Sequence, residues 1–452
     1  MASVRLRKGL TEPILIGTDC TQQTLVYENL KTRKEFNGIR DKSVSKKSID
    51  SGVSTVDSVK GLKALLLNKM NLLLVCCPLG MMAEPVFHWS QDATFWFNFL
   101  AMIPLANLLG DATEELAANL RNDTLSGLLN ATFGNAVEMI MTIALLKDGQ
   151  FMVVKSSLIG SILSNMLLVL GMSFFFGGLS RNSTSSSENL KEPLVPYNKE
   201  QKFSQTGSLA SAATLLLSAS LFSLVTVFNF IDNIPSSDRL SEERLYMRPI
   251  SISCSILMMM SYAAFIIFQM FTHERLLAEG DGGENEGDDE EAASISLSVS
   301  LGLLLVVTIV VAVCSELLTG SLDNMLVSTG LSKAFVGVVL IPIIGNACEH
   351  VSAIRFAVVD KPGLAVGIAI GSSVQISVFV MPFAVLVGAI LGCEKDGEIM
   401  DLDFGALNVT VLLLSVLIVS AIVVDGRSNW FEGWLLMTAY AVIAILFFFD
   451  PE

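Results

Sequence analysis

Gly134-Asn135-Ala136-Val137-Glu138 returns 211 residues later (345 − 134) as Gly345-Asn346-Ala347-Cys348-Glu349. A second pair of phrases keeps the same offset, Ile159-Gly160-Ser161 and Ile370-Gly371-Ser372. In each copy the second glycine follows the first by 26 residues (160 − 134 and 371 − 345). A two-part pattern repeated with unchanged internal spacing is the mark of an internal repeat. Both copies set one carboxylate inside a long apolar stretch, and chemistry is to be sought there.

Working outward, the 452 residues are 52% hydrophobic and only 16% charged, against about 25% charged in soluble domains. Mean hydropathy is +0.60. Apolar runs of about 18 residues or more can span a bilayer whose core is roughly 30 Å thick, so the chain reads as a polytopic, all-α membrane protein in contact with lipid. The net charge of −15 arises largely in loops and does not suggest nucleic-acid binding, so no nucleic-acid partner is expected. The seven cysteines, Cys20, Cys76, Cys77, Cys254, Cys314, Cys348 and Cys393, show no CxxC pattern and read mostly as small apolar core residues. The first long apolar run begins near Leu65, so no cleavable signal is expected.

Residues 1–63 carry twelve Lys/Arg and seven Asp/Glu and show no sustained periodicity, as expected of a polar, basic cytosolic tail. Eleven spans are expected after it, near 65–83, 93–117, 124–146, 150–178, 208–230, 249–271, 295–319, 332–357, 363–392, 404–424 and 430–449. Residues 64–92 hold the first span and its loop, 93–272 a first five-helix repeat, 273–293 an acidic cytosolic linker and 294–452 a second five-helix repeat. With a cytosolic N-terminus, Arg181, Lys191, Lys199 and Lys202 fall in a cytosolic loop, as the positive-inside rule requires. The loop 231–248, with Arg239, Arg244 and Arg248, runs against the rule. The C-terminus, Asp450-Pro451-Glu452, is placed on the opposite side. The two signature phrases lie five spans apart, in spans three and eight, so the repeats run in opposite directions, with span one an extra. Inverted repeats are typical of secondary transporters that bind substrate near the midplane.

A buried carboxylate in a membrane costs about 2.5–3.5 kcal/mol even on a lenient scale. Neither Glu138 nor Glu349 has a Lys or Arg within its phrase, so a proton or a cation is the natural counter-charge. Asn135 and Asn346 precede their glutamates by three residues, which shares a helix face. The pairs Gly134-Asn135 and Gly345-Asn346 weaken the helix, and unwinding there frees backbone carbonyls. Ser164 and Gln375, equivalent by the same offset (375 − 164), supply further oxygens. This hard oxygen set suits Ca²⁺, Mn²⁺ or Mg²⁺. For the glycines, helix packing explains them as well as binding does, and for Ser164 and Gln375 helix–helix hydrogen bonding is the alternative.

Glu114 and Glu316 are expected at the ends of flanking spans, as an access path. His350 is a candidate for proton transfer, although as the neighbour of Glu349 it faces elsewhere on a helix. The run Glu279–Glu291 holds eight acids and no base, and it fails the EF-hand pattern; it is a solvated linker or a weak cation collector. Asp360-Lys361-Pro362-Gly363 has Pro where the phosphorylation sequence of ion-pumping ATPases needs Thr, and no GxxxxGK[ST] occurs. With no nucleotide site, cofactor or enzyme centre legible, an ion gradient is the expected energy source. A homo-oligomer stays open.

The phrases GNAVEMI (134–140), GNACEHVSAI (345–354), IGSSVQIS (370–377) and ATEELA (112–117), with the acidic segment between the halves, resemble the vacuolar cation/proton exchangers, the CAX family of the calcium/cation antiporter superfamily. The likeness covers roughly residues 64–452 and is nearest to plant-type members. It implies an eleven-span exchanger with Glu138 and Glu349 at the cation site, moving Ca²⁺, or Mn²⁺ and other divalents, into the vacuole against H⁺. Cys348, commonly Ala in relatives, and Arg355, commonly apolar, depart from the pattern. The rival readings are a sodium-coupled calcium exchanger on the same scaffold, a cation channel or a membrane sensor.

Overall fold

Where water is absent, a chain satisfies its backbone only as helix or closed barrel, and the apolar runs here become helices. The computed structural model describes residues 55–67, 69–120, 129, 132–180, 199–231, 239–273, 293–395 and 397–450. Helix α1 (Thr55–Leu66) leads through a 3₁₀ segment (Lys69–Val75) into α2 (Cys76–Met82). Then come α3 (Gln91–Leu120), α4 (Ala136–Lys147), α5 (Phe151–Leu179), α6 (Gln205–Ile231) and α7 (Arg239–Ile267). The second half holds α8 (Leu297–Thr329), α9 (Lys333–Gly345), α10 (Ala347–Val358), α11 (Pro362–Leu391), α12 (Ala406–Val423) and α13 (Trp430–Phe448). Besides helices, the described residues hold four two-residue strands, β1 (Gln201–Lys202) paired with β4 (Arg427–Ser428) and β2 (Glu394–Lys395) with β3 (Glu398–Ile399).

Among the described residues eight helices are long and apolar enough to cross a membrane, or up to ten spans if each bent pair counts as one. One bent pair is α9 with α10, turned by 57°. The first half of the expected third span lies mostly outside the described residues, as do most of the expected tail and nearly all of the acidic linker.

The packing follows the repeat. Helix α8 lies along α3, and α12 along α6. The later half of α5 packs on α13, and the later half of α11 on α7. By the 211-residue offset α3 falls on α8 and the later half of α5 on the later half of α11, whereas α6 and α12, and α7 and α13, correspond only in their order along the two halves. Both α5 and α11 contain a π-helical turn, Ser164–Val169 and Ile376–Val380, at matching places. Such turns break the regular ladder and recur at functional positions.

Three boundaries differ from the sequence reading. Helix α1 begins at Thr55, inside the stretch expected as tail. Span one is bent by 76° between α1 and the segment Lys69–Met82. Helix α8 continues to Thr329, ten residues past its expected end (329 − 319). It persists because its polar residues find partners. Thr319 donates to Asp148 (2.7 Å), Asp323 accepts from Gln150 (2.8 Å), Asn324 bonds Gln91 and Ser328 donates to Asp92 (2.8 Å). Glu316 therefore lies in the interior of a helix rather than at its end, which corrects the expected placement.

Both ends of the bundle are laced between the halves. At one end, Lys395 reaches the Asp148 carbonyl (3.0 Å), Lys333 meets Gln150 and Asp323 (3.0 and 3.2 Å), and Lys155 pairs with Asp401 (2.5 Å). At the other, Gln201 donates to the Ala357 carbonyl and to Asp360 (2.8 and 2.7 Å), and Lys199 approaches Asp360 (3.4 Å).

Candidate functional site

The helix breaks fall at the repeated asparagines. Asn135 (φ −109°, ψ 28°) caps α4 and Asn346 (φ −92°, ψ 17°) caps α10. Glu138 and Glu349 are thus the third residues of their helices. Each helix aims its positive N-terminal end at its own glutamate, which favours a carboxylate there. The main-chain oxygens of both asparagines accept from the N–H four residues on, Met139 and His350, at 3.0 Å each, so unwinding does not release these two carbonyls from the helices.

The halves brace each other through these amides. Asn135 Nδ2 donates to Gln375 Oε1 at 2.6 Å, and Asn346 Nδ2 donates to the Ser161 carbonyl at 3.1 Å. Ser373 reaches the Ile162 carbonyl at 3.4 Å. With both NH₂ groups turned outward, both side-chain oxygens are left: Asn135 Oδ1 and Asn346 Oδ1 are buried without a partner. Glu138 Oε1 is likewise buried and unpartnered, and Glu138 as a whole is 7% exposed. Glu349, 8% exposed, accepts a thiol contact from Cys348 at 3.2 Å. Glu138 approaches the other half at Gly345.

Gly345 makes this approach feasible, because a Cβ there would sit 3.0 Å from Glu138 Oε1. Gly134 stands just before Asn135 in the turn that opens α4. Buried acceptors left without donors are costly, at about 1–3 kcal/mol each. Among the described residues no group of three or more His, Cys, Asp or Glu is placed to hold a metal ion; the two phrases bring two carboxylates and two amide oxygens, which are hard donors.

The remaining expected residues are placed as follows. Ser164 is fully buried at the π-helical turn of α5. Gln375 is half-buried, and its carbonyl oxygen is taken by Asn135. His350 Nδ1 turns back to the Asn346 carbonyl at 2.5 Å, leaving Nε2 buried and without a partner. Glu114 on α3 and Glu316 on α8 are both exposed. Sequence reasoning passed over Asn165, whose amide is fully buried with neither end satisfied. The available signal was its position, four residues after Ser161 in the partner phrase. Thr142, one helical turn beyond Glu138, was also missed.

The model of the sodium/calcium exchanger protein family matches residues 93–271 and 299–449. The chain belongs to that family. This exchanger-family chain is 35% identical over 401 residues to the vacuolar calcium ion transporter of Schizosaccharomyces pombe, covering 88% of this chain and 90% of the relative. It is 38% identical over 391 residues to the Ca²⁺/H⁺ antiporter of Synechocystis, covering 84% and 97%. It is 35% identical over 427 residues to vacuolar cation/proton exchanger 2 of Oryza sativa, covering 92% and 91%. Among solved structures, native YfkE superposes with a TM-score of 0.65 at 32% identity, covering 84% of this exchanger-family chain and all of that one. The H⁺/Ca²⁺ exchanger CAX gives 0.60 at 13% identity, covering 87% and 92%, a likeness of fold alone.

Proposed function

We propose that this chain is a secondary antiporter exchanging Ca²⁺ for H⁺ across a vacuolar membrane by alternating access. The observation that carries the reading is the set of buried oxygens left without donors in the two repeated phrases, Asn135 Oδ1, Glu138 Oε1 and Asn346 Oδ1, together with the second buried carboxylate, Glu349. Relatives named as Ca²⁺/H⁺ antiporters and vacuolar cation/proton exchangers, similar over most of their length, support the same substrate pair.

In this reading Glu138 and Glu349, ionised, take one divalent cation from the cytosol, and the amide oxygens and Ser164 complete its shell. Gln375 holds Asn135 in place, and Gly345 gives Glu138 room to reach the cation. Protons from an acidic lumen displace the cation, and the protonated site returns. Cation and protons use the same carboxylates, so occupancy is exclusive, and exclusive occupancy is what makes flux an exchange. Each pH unit of gradient supplies about 1.4 kcal/mol per proton. Glu114 and Glu316 line the approach, and Mn²⁺ is a second cargo. Eleven spans, as an extra helix and two inverted five-helix halves with the N-terminus cytosolic and the C-terminus lumenal, accommodate the packing described above.

The test is uptake of radioactive Ca²⁺ into acid-inside vesicles carrying the protein. Uptake above the equilibrium level that collapses on adding a protonophore is the expected outcome. Uptake that ignores the protonophore and follows a Na⁺ gradient, or that stops at electrochemical equilibrium, would reject the proton-coupled reading.

A further inference from the structure

Beside Glu138 lies a cavity of about 10 Å³, room for about one water molecule. Its polar lining is Glu138, Thr142, Ser157 and Ser161, with Ile341 and Gly345 closing it from the other half. Glu138 contributes a carboxylate that is more than nine-tenths buried and whose Oε1 has no partner. The hydroxyls are unequal. Ser157 Oγ spends its hydrogen on the Val154 carbonyl at 3.0 Å, so toward the cavity it can only accept. Thr142, 2% exposed, adds a second hydroxyl whose lone pairs can accept.

A water bound to a divalent cation has its oxygen turned to the metal and both hydrogens to donate. It needs a cation on one side and two acceptors on the other. We propose that this recess holds one water that stays on the transported cation as an inner ligand, with Ser157 and Thr142 accepting its hydrogens. The proposal rests on the reading that Glu138 binds the cation. It makes Thr142 and Ser157 determinants of affinity although neither touches the ion.

The repeat supplies an independent argument. By the 211-residue offset, Thr142 corresponds to Ala353 and Ser157 to Ile368. Neither can accept a hydrogen bond from a water beside Glu349, where the thiol of Cys348 lies instead. The duplicated halves thus keep their carboxylates and amides alike but differ in the shell behind them. The cation is hydrated on the Glu138 side and dry on the Glu349 side. The hydroxyls lie between Glu138 and the Asp148 end of the bundle, so the retained water marks the side from which rehydration begins.

The test compares concentration dependence of radioactive Ca²⁺ uptake for the full-length protein, Thr142→Val/Ser157→Ala, Thr142→Val, Thr142→Ser and Glu138→Gln. Both substitutions in the double variant keep side-chain shape close to native while deleting acceptors. The expected result is a KM for Ca²⁺ raised about tenfold, with the maximal rate falling by less than about twofold. Thr142→Ser should recover most of the lost affinity relative to Thr142→Val. An unchanged KM in the double variant overturns the proposal, and so does a Thr142→Ser variant as weak as Thr142→Val, which would assign the effect to the methyl group. If the double variant does not reach the membrane, each single variant carries the same comparison. Normal uptake by Glu138→Gln would instead bring down the underlying site, whereas an inactive Glu138→Gln beside a normal double variant removes only the water.

Discussion

At the scale of the residue, the two glutamates differ from the other acids of the described residues by being repeated, buried and without a basic partner in their phrases. Glu138→Gln and Glu349→Gln each keep shape and remove the charge. Uptake by either should fall to background, a loss of at least about a hundredfold, while surface labelling shows unchanged amounts in the membrane. Retained uptake in both would end the assignment. The sequence made these carboxylates legible because duplication marks equivalent positions. It did not disclose which lone pair each amide uses. Gln375 read as a direct oxygen donor, but its oxygen is committed to Asn135, a bond between residues 240 apart. Offset arithmetic reveals equivalence within the chain, not which side chains meet across the interface. For the same reason Thr142 looked like one more helical residue until α5 and α9 closed the recess around Glu138.

At the scale of the element, apolar runs located nearly every helix, and the Gly-Asn pairs marked both breaks. The failures have physical causes. Helix α8 looked finished near Ser315-Glu316, because polar residues in an apolar run resemble a membrane boundary. Their hydrogen-bond partners on the other half let the helix continue to Thr329. The matching glycines also part company in the structure. A Cβ on Gly160 would lie 2.3 Å from the Val338 carbonyl oxygen and 2.7 Å from Pro342, whereas a Cβ on Gly371 would meet nothing within 4 Å. Gly160→Ala should therefore push α5 off α9, costing about 1–3 kcal/mol and lowering the thermal midpoint in detergent. Gly371→Ala should be neutral or slightly stabilising, since alanine is the better helix former by about 1 kcal/mol. Equal effects of the two substitutions would contradict this account of α5 packing.

At the scale of the whole molecule, alternating access requires one half to rock against the other, and the lacing at each end must open in turn. The contact between Thr319 and Asp148 is a convenient reporter, since it joins α8 to the turn after α4 at 2.7 Å. Cysteines at both positions should form a disulfide with copper phenanthroline and stop uptake, with recovery on adding reductant. Either cysteine alone should lose far less. Full activity of the cross-linked protein would mean that this end stays shut throughout the cycle. The distances in sequence between partners carry one more consequence, for how the molecule is made. Cys77 lies 3.6 Å from Cys314, 237 residues further on, and Asn135 waits for Gln375. At about 5–20 residues per second of synthesis, the first half stands in the membrane for tens of seconds before its partner leaves the ribosome. During that interval the chain holds a carboxylate and an amide that only the unmade half can accommodate. A nascent chain that ends between the halves therefore holds Asn135 without the side chain that braces it in the finished protein.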